Sequence, residues 1–303
     1  MFVEEFLVDL RRERFTPVAL LRYGVRVLGR GRDHAVANPG AVRSIWCVAL
    51  AFFVAAFLAA VGIALAYDRR LAVAFFVYST AGMLPVFMAV TLAVGSLRDR
   101  DNFPLSAINF PTVLTLLRAA LVPGVVLLLV QRHLTLAFAA YLISALTDVA
   151  DGWLARRWKQ LTRLGTVLDP LVDIVFNLAL FAGLTAAHLL SGWVLALACL
   201  RYVILIAGAI SLYLFVGPVR IQPTWFGRLT GVIIAALVGL LLLLHVVGAP
   251  VAHALLPLTQ IALGAMLAAT VAHVVALGWY NLRIMTGAVP HGRVVGDVRW
   301  GAR

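Results

Sequence analysis

Asp148, Asp151, Asp169 and Asp173 fall within 26 residues of one another, in two neighbouring stretches otherwise apolar enough to cross a membrane. The run reads Asp148-x2-Asp151-Gly152-x2-Ala155-Arg156-x8-Gly165-x3-Asp169-x3-Asp173. Spacings of three and four place each aspartate pair on one face of a helix. A short basic hairpin joins the two stretches, so the two faces can meet as an antiparallel pair. An ionisable side chain at membrane depth is costly and by default marks a functional site. The other nine acidic residues of the chain lie in segments expected outside the bilayer. Four gathered carboxylates would carry a charge of −4, which two divalent cations would cancel. Oxygen-only ligands suit Mg²⁺ or Mn²⁺, whereas zinc prefers nitrogen and sulfur.

The remaining fixed positions suit a phosphate-bearing substrate. Gly152 lowers helix stability, so its use is space: with Ala155 it leaves a smooth slot for a flat group such as a nucleobase or ribose. Gly165 would do the same opposite, and Arg156 offers a rigid donor fork for a phosphate. Two other readings stand beside metal-dependent chemistry. A cation- or proton-coupled transporter would use such acids, but would carry polar groups near the bilayer midplane, where this chain has Leu, Ala and Val. Structural pairing with Arg156, Arg157, Lys159 and Arg163 accounts for one or two aspartates, not for four and two glycines.

The elements that must position these residues are membrane helices. With a mean hydropathy of +1.00 and 13% charged residues, the chain is not a water-soluble domain. Apolar runs predict eight spans, at 44–67, 71–96, 111–131, 134–156, 165–187, 192–216, 229–248 and 254–280, with Pro250 and Pro257 blurring the last turn. Twenty of the 25 Lys and Arg fall in 1–43, 97–110, 156–163, 217–228 and 281–303, which predicts both termini and the aspartate cluster at the cytoplasmic face. The net charge of +12 then serves anionic headgroups. No basic, aromatic-bearing soluble module is present, so nucleic acid is not an expected partner. Cys47 and Cys199 lie in predicted spans and are not paired by spacing, and no two histidines form a ligand pair. The charged first 40 residues lack a signal-peptide core. Residues 1–43 read as one or two amphipathic helices on the inner leaflet, broken near Pro17, with a solvated basic tail as the alternative. The polar stretch from Ser96 to Asn109 is the expected boundary between two accessory spans and a six-span core. That core opens on Asn109-Phe110-Pro111-Thr112, and Thr112, Thr115 and Arg118 share a helix face. Arg118 either snorkels to the headgroups or points inward.

The aspartate run resembles the signature of the CDP-alcohol phosphotransferases, membrane enzymes of phospholipid synthesis, and matches it at all eight fixed positions. The resemblance covers roughly 107–286. It implies an all-α polytopic membrane protein with a six-helix core, here preceded by two extra transmembrane helices in 1–106 and followed by a cytoplasmic tail, 287–303. It implies that Asp148, Asp151 and Asp169 hold two Mg²⁺ or Mn²⁺ ions. Asp173 would touch a metal and act as general base, so that an acceptor hydroxyl attacks a CDP-linked lipid such as CDP-diacylglycerol and CMP leaves. Gly152, Ala155, Arg156 and Gly165, with Asn109 and Thr112, would bind the CDP moiety, and a homodimer is implied. The segment from Asn109 to Arg118 resembles the opening of phosphatidylglycerophosphate synthases. Arg118, Arg201, Arg220, Arg228 and Asn177 are the candidate acceptor contacts. Ile174 and Ala209 depart from the basic residues of those synthases, so glycerol 3-phosphate, a neutral alcohol and inositol phosphate all stay open as the small alcohol acceptor. The reverse arrangement, a small CDP-alcohol donating to a lipid, is the alternative within the class.

Overall fold

Backbone N–H and C=O groups in hydrocarbon must find partners within their own segment, so apolar runs of this length fold as helices. The computed structural model describes residues 16–99, 103–158, 162–215, 225–248 and 250–285, and these carry nine α-helices. They are α1 (Pro17–Ala37), α2 (Pro39–Ala66), α3 (Arg69–Leu92), α4 (Phe110–Val130), α5 (Leu134–Arg157), α6 (Arg163–Ala186), α7 (Gly192–Phe215), α8 (Trp225–Val247) and α9 (Pro250–Met285). The eight expected spans are α2 to α9, with ends shifted by a few residues; after Leu92 the second continues as a 3-10 turn, Val94–Ser96. Six stretches, five helices and Ala254–Trp279 of α9, are long and apolar enough to cross a membrane, and α5 and α7 add the shorter apolar stretches Leu134–Ala150 and Gly192–Gly208. This is an all-α, multi-pass integral membrane protein. The tract expected to be helical before Pro17 and the tail 287–303 lie outside the described residues.

Helix ends follow local chemistry. The Thr16 hydroxyl accepts the Ala19 N–H at 3.3 Å, with Pro17 in the first helical turn. Asp68 caps α3 by accepting from the N–H groups of Arg70 and Leu71, at 3.0 and 3.2 Å. Gly248, at φ +63°, follows the last residue of α8 and returns its N–H to the Leu244 carbonyl at 3.1 Å, the left-handed stop that glycine permits.

The chain divides into two compact units, Met1–Ala187 and His188–Arg303. In the first, α4 is the central helix and packs on α3, α5 and α6. Small residues permit that approach, as is usual where lipid supplies no hydrophobic drive between helices. A Cβ at Gly82 would run into Pro123, and one at Gly124 would lie 2.6 Å from Phe75 Cε2 and 3.1 Å from Ser79 Oγ. On the α6 side, a Cβ at Gly183 would lie 3.1 Å from Leu129 Cδ1. In the second unit α9 packs on α7 and α8. There the Ser191 hydroxyl donates to Gln260 Oε1 at 2.6 Å, and Gly264 faces the Trp193 ring.

Gly124→Leu should therefore overpack the α3–α4 contact and destabilise the unit by about 1–3 kcal/mol. The expected observation is a lower midpoint of thermal unfolding in detergent. Gly62→Leu, where a Cβ would meet nothing within 4 Å, should leave the midpoint close to wild type.

Candidate active site

Three helices of the first unit bring the charged residues together. Arg118 lies two turns into α4 and is 3% exposed, so it points inward rather than snorkelling to the headgroups. Its Nη2 lies 2.7 Å from Asp148 Oδ1 on α5, and its Nη1 donates to Asp173 Oδ1 on α6. One turn nearer the start of α4, the Thr115 hydroxyl donates to Asp169 Oδ1 at 2.7 Å. Asp148, Asp169 and Asp173 stand close enough for their charges to act on one another. The Asp148 and Asp173 side chains are 55% and 45% exposed. The guanidinium is thus buried, while the two carboxylates that it pairs with stay partly exposed.

Two residue choices set this geometry. On α6 the acids share a face with the buried Phe176 and Leu180, so packing that face on α4 carries Asp169 and Asp173 inward. The start of α6 is fixed by Thr162, whose hydroxyl accepts the Gly165 N–H at 3.0 Å. A Cβ at Gly165 would lie 3.1 Å from Thr162 Oγ1 and 3.5 Å from Thr112 Oγ1. Thr112 in turn donates to Asn109 Oδ1. Asn109, Thr112 and Gly165, expected to share a role, therefore meet where α4 and α6 begin.

The other expected residues are distributed as follows. Gly152 is half-buried on α5. Asp151, Ala155 and Arg156 lie on the last turns of α5, and their side chains lie outside the described set. Asn177 donates its Nδ2 to the Asp173 carbonyl at 2.7 Å, a bond back onto its own helix. Arg201, on α7, and Arg228, exposed in the first turn of α8, belong to the second unit; Arg220 lies outside the described residues. Three polar residues had not been assigned a role. Thr115 holds Asp169, and its spacing with Thr112 and Arg118 was the signal for it. Tyr141 and Ser144, both buried on α5, precede Asp148 at intervals of three and four and complete a polar stripe; among the described residues the Ser144 Oγ has no hydrogen-bond partner.

The sequence model of the CDP-alcohol phosphatidyltransferase family matches residues 108–275, a little over half of the chain and all of the cluster. The chain belongs to this family. Among curated relatives, the CDP-diacylglycerol–glycerol-3-phosphate 3-phosphatidyltransferases of Escherichia coli (strain K12) and Shigella sonnei are each 46% identical to it over 89 residues, 28% of this chain and 48% of the relative. The chain thus spans about half the length of the curated relatives it matches. No solved structure matches it.

Members of the family generally use divalent metal ions. Among the described residues no three acidic, histidine or cysteine groups form a metal-holding set, the Asp151 side chain being outside that search. The donors nevertheless fit a hard cation: they are carboxylate and hydroxyl oxygens, and Asp148 and Asp173 converge on one positive group from two helices.

Removing the guanidinium leaves two carboxylates facing each other. Arg118→Ala should cost about 2 kcal/mol, in the range for hydrogen bonds to charged groups. Arg118→Lys should recover only part of this, because an ammonium lacks the planar fork that serves both carboxylates. Unfolding midpoints in detergent check both variants.

Proposed function

We propose that the protein transfers a phosphatidyl group from CDP-diacylglycerol to the hydroxyl of a small alcohol, releasing CMP, as a step of phospholipid synthesis. The observation that carries this is the meeting of Asp148, Asp169 and Asp173 with Arg118 and Thr115 on α4, α5 and α6, inside the region matched by the family. Its relatives are named for CDP-diacylglycerol and glycerol 3-phosphate, which supports that donor and makes glycerol 3-phosphate the first acceptor to test.

In this mechanism Asp173, half-exposed, takes the proton of the acceptor hydroxyl as the oxygen attacks the phosphorus bearing the diacylglycerol. The new O–P bond forms as the P–O bond to CMP breaks, and the proton leaves Asp173 for solvent. Asp148, Asp151, Asp169 and Asp173 would hold two Mg²⁺ or Mn²⁺ ions, which when bound supply charge stabilisation at the transferring phosphoryl group. Thr115 keeps Asp169 turned toward that centre, and Arg118 holds Asp148 and Asp173 at one spacing. Asn109, Thr112, Gly152, Ala155, Arg156 and Gly165 take the CDP moiety. Arg201, Arg220, Arg228 and Asn177 are the proposed acceptor contacts.

The six-span core is proposed to run from 107 to 286, after an accessory segment, 1–106. The concentration of basic residues in alternate loops supports an orientation with both termini and the active site at the cytoplasmic face. The protein works as a homodimer in this reading.

The test is CMP release by the purified protein from CDP-diacylglycerol with Mg²⁺ or Mn²⁺, across glycerol 3-phosphate, serine, inositol and inositol phosphate. Release should require both the metal and one acceptor, and chelation should stop it. Asp173→Asn should lower kcat by about 10²–10⁴-fold, the usual scale for a positioned base, while CDP-lipid binding is largely kept. Near-normal turnover in Asp173→Asn would show that the base lies elsewhere.

A further inference from the structure

The link between α3 and α4 lies ahead of the family match, which begins at residue 108. Asp99, Arg100 and Asp101 give it the composition of a solvated connection. Its first half is nonetheless buried, Val94 at 3% and Leu97 at 1% exposure. Leu97 sits in one apolar cluster with Ile45 of α2, Phe87 of α3, Leu116 of α4 and Leu164 of α6, and Leu168 packs on its edge. The link is closed on itself: Asp99 donates its N–H to the Phe103 carbonyl, and Leu105 to the Leu97 carbonyl, each at 3.0 Å.

It also bonds to the start of α6 and to α2. The Arg98 carbonyl accepts the N–H of Arg163, the first residue of α6, at 3.1 Å. Such first-turn N–H groups have no partner within their own helix. The Ile108 N–H, just ahead of α4, donates to Ser44 Oγ of α2 at 3.0 Å. In sequence, Leu116 lies between Thr115 and Arg118, and Leu164 and Leu168 directly precede Gly165 and Asp169. The apolar residues that grip Leu97 are thus neighbours of the polar residues that meet across α4 and α6.

We propose that residues 94–99 and 103–108 of the link, with Leu97 as the positioning residue, set the separation of α4 from α6 at the site, and so how Thr115 and Arg118 meet Asp169 and Asp173. The effect on turnover rests on the function proposed above; the effect on helix spacing does not. Interiors are close-packed, so a cavity under both helices shifts them rather than being absorbed. The accessory helices α2 and α3 then serve as the frame against which the link is held.

The test compares Leu97→Ala with Leu129→Ala in the full chain. Leu129 is fully buried at the other end of α4, against Gly183, and provides a matched cavity away from the carboxylates. In Leu97→Ala, amide hydrogen exchange over 163–173 should rise by about tenfold or more, as for a locally opened segment, and in Leu129→Ala it should not. With its best acceptor, Leu97→Ala should lose about tenfold or more in kcat with little change in KM for the CDP-lipid, the pattern of misplaced catalytic groups. Leu97→Met should restore kcat to within about threefold, since volume-conserving swaps are tolerated best. Wild-type exchange over 163–173 in Leu97→Ala would overturn the proposal, as would a kcat loss no larger than that of Leu129→Ala. If Leu97→Ala does not insert, Ser44→Ala and Leu97→Val carry the same comparison. If the wild-type protein releases no CMP from any CDP-linked donor, the proposed reaction fails, and the exchange comparison alone decides whether the link positions α6.

Discussion

A guanidinium that is almost wholly buried must be neutralised on the spot, because the desolvation of an unpaired charge in a protein interior costs several kcal/mol. Arg118 meets that demand with two carboxylates from two different helices, Asp148 of α5 and Asp173 of α6. Three helices are thereby held at one level by a single charged group. The carboxylates face the opposite constraint: they lie close enough to repel and need positive charge between them. Each side of the arrangement resolves the electrostatic problem of the other, and the remaining packing of the first unit maintains it.

That packing is centred on α4. Its neighbours can come close because glycines stand where side chains would collide, Gly82 and Gly124 at the α3 contact and Gly183 at the α6 contact. Near the carboxylates the contact changes character. There Thr112, Thr115, Asn109 and Thr162 add hydrogen bonds to the apolar packing at the starts of α4 and α6.

The candidate site was legible in the sequence to the extent that it depends on local spacing. Asp169 and Asp173 share a helix face because they are four residues apart, and Thr112, Thr115 and Arg118 share another because they are three apart. What spacing does not contain is distance across helices. The bond from Thr115 to Asp169 joins residues 54 apart, and the two pairings of Arg118 depend on how α4 rotates against α5 and α6. Asn177 shares the acid face by the same spacing, and only the structure shows that it donates one amide N–H to the Asp173 carbonyl of its own helix. The link between α3 and α4 was legible as polar, but not as a segment that buries Leu97, since one leucine among charges carries no periodic signal.

By itself, then, the sequence determined the membrane class, the eight apolar helices and the spacing of the acidic motif, because these follow from hydropathy, helical period and residue chemistry along the chain. The tertiary structure decided that Arg118 turns inward, that Thr115 serves Asp169, and that Leu97 of a polar-looking link packs with residues of α4 and α6. Each of those rests on contacts between segments far apart in the chain, where rotation, approach and burial are settled only when the helices pack.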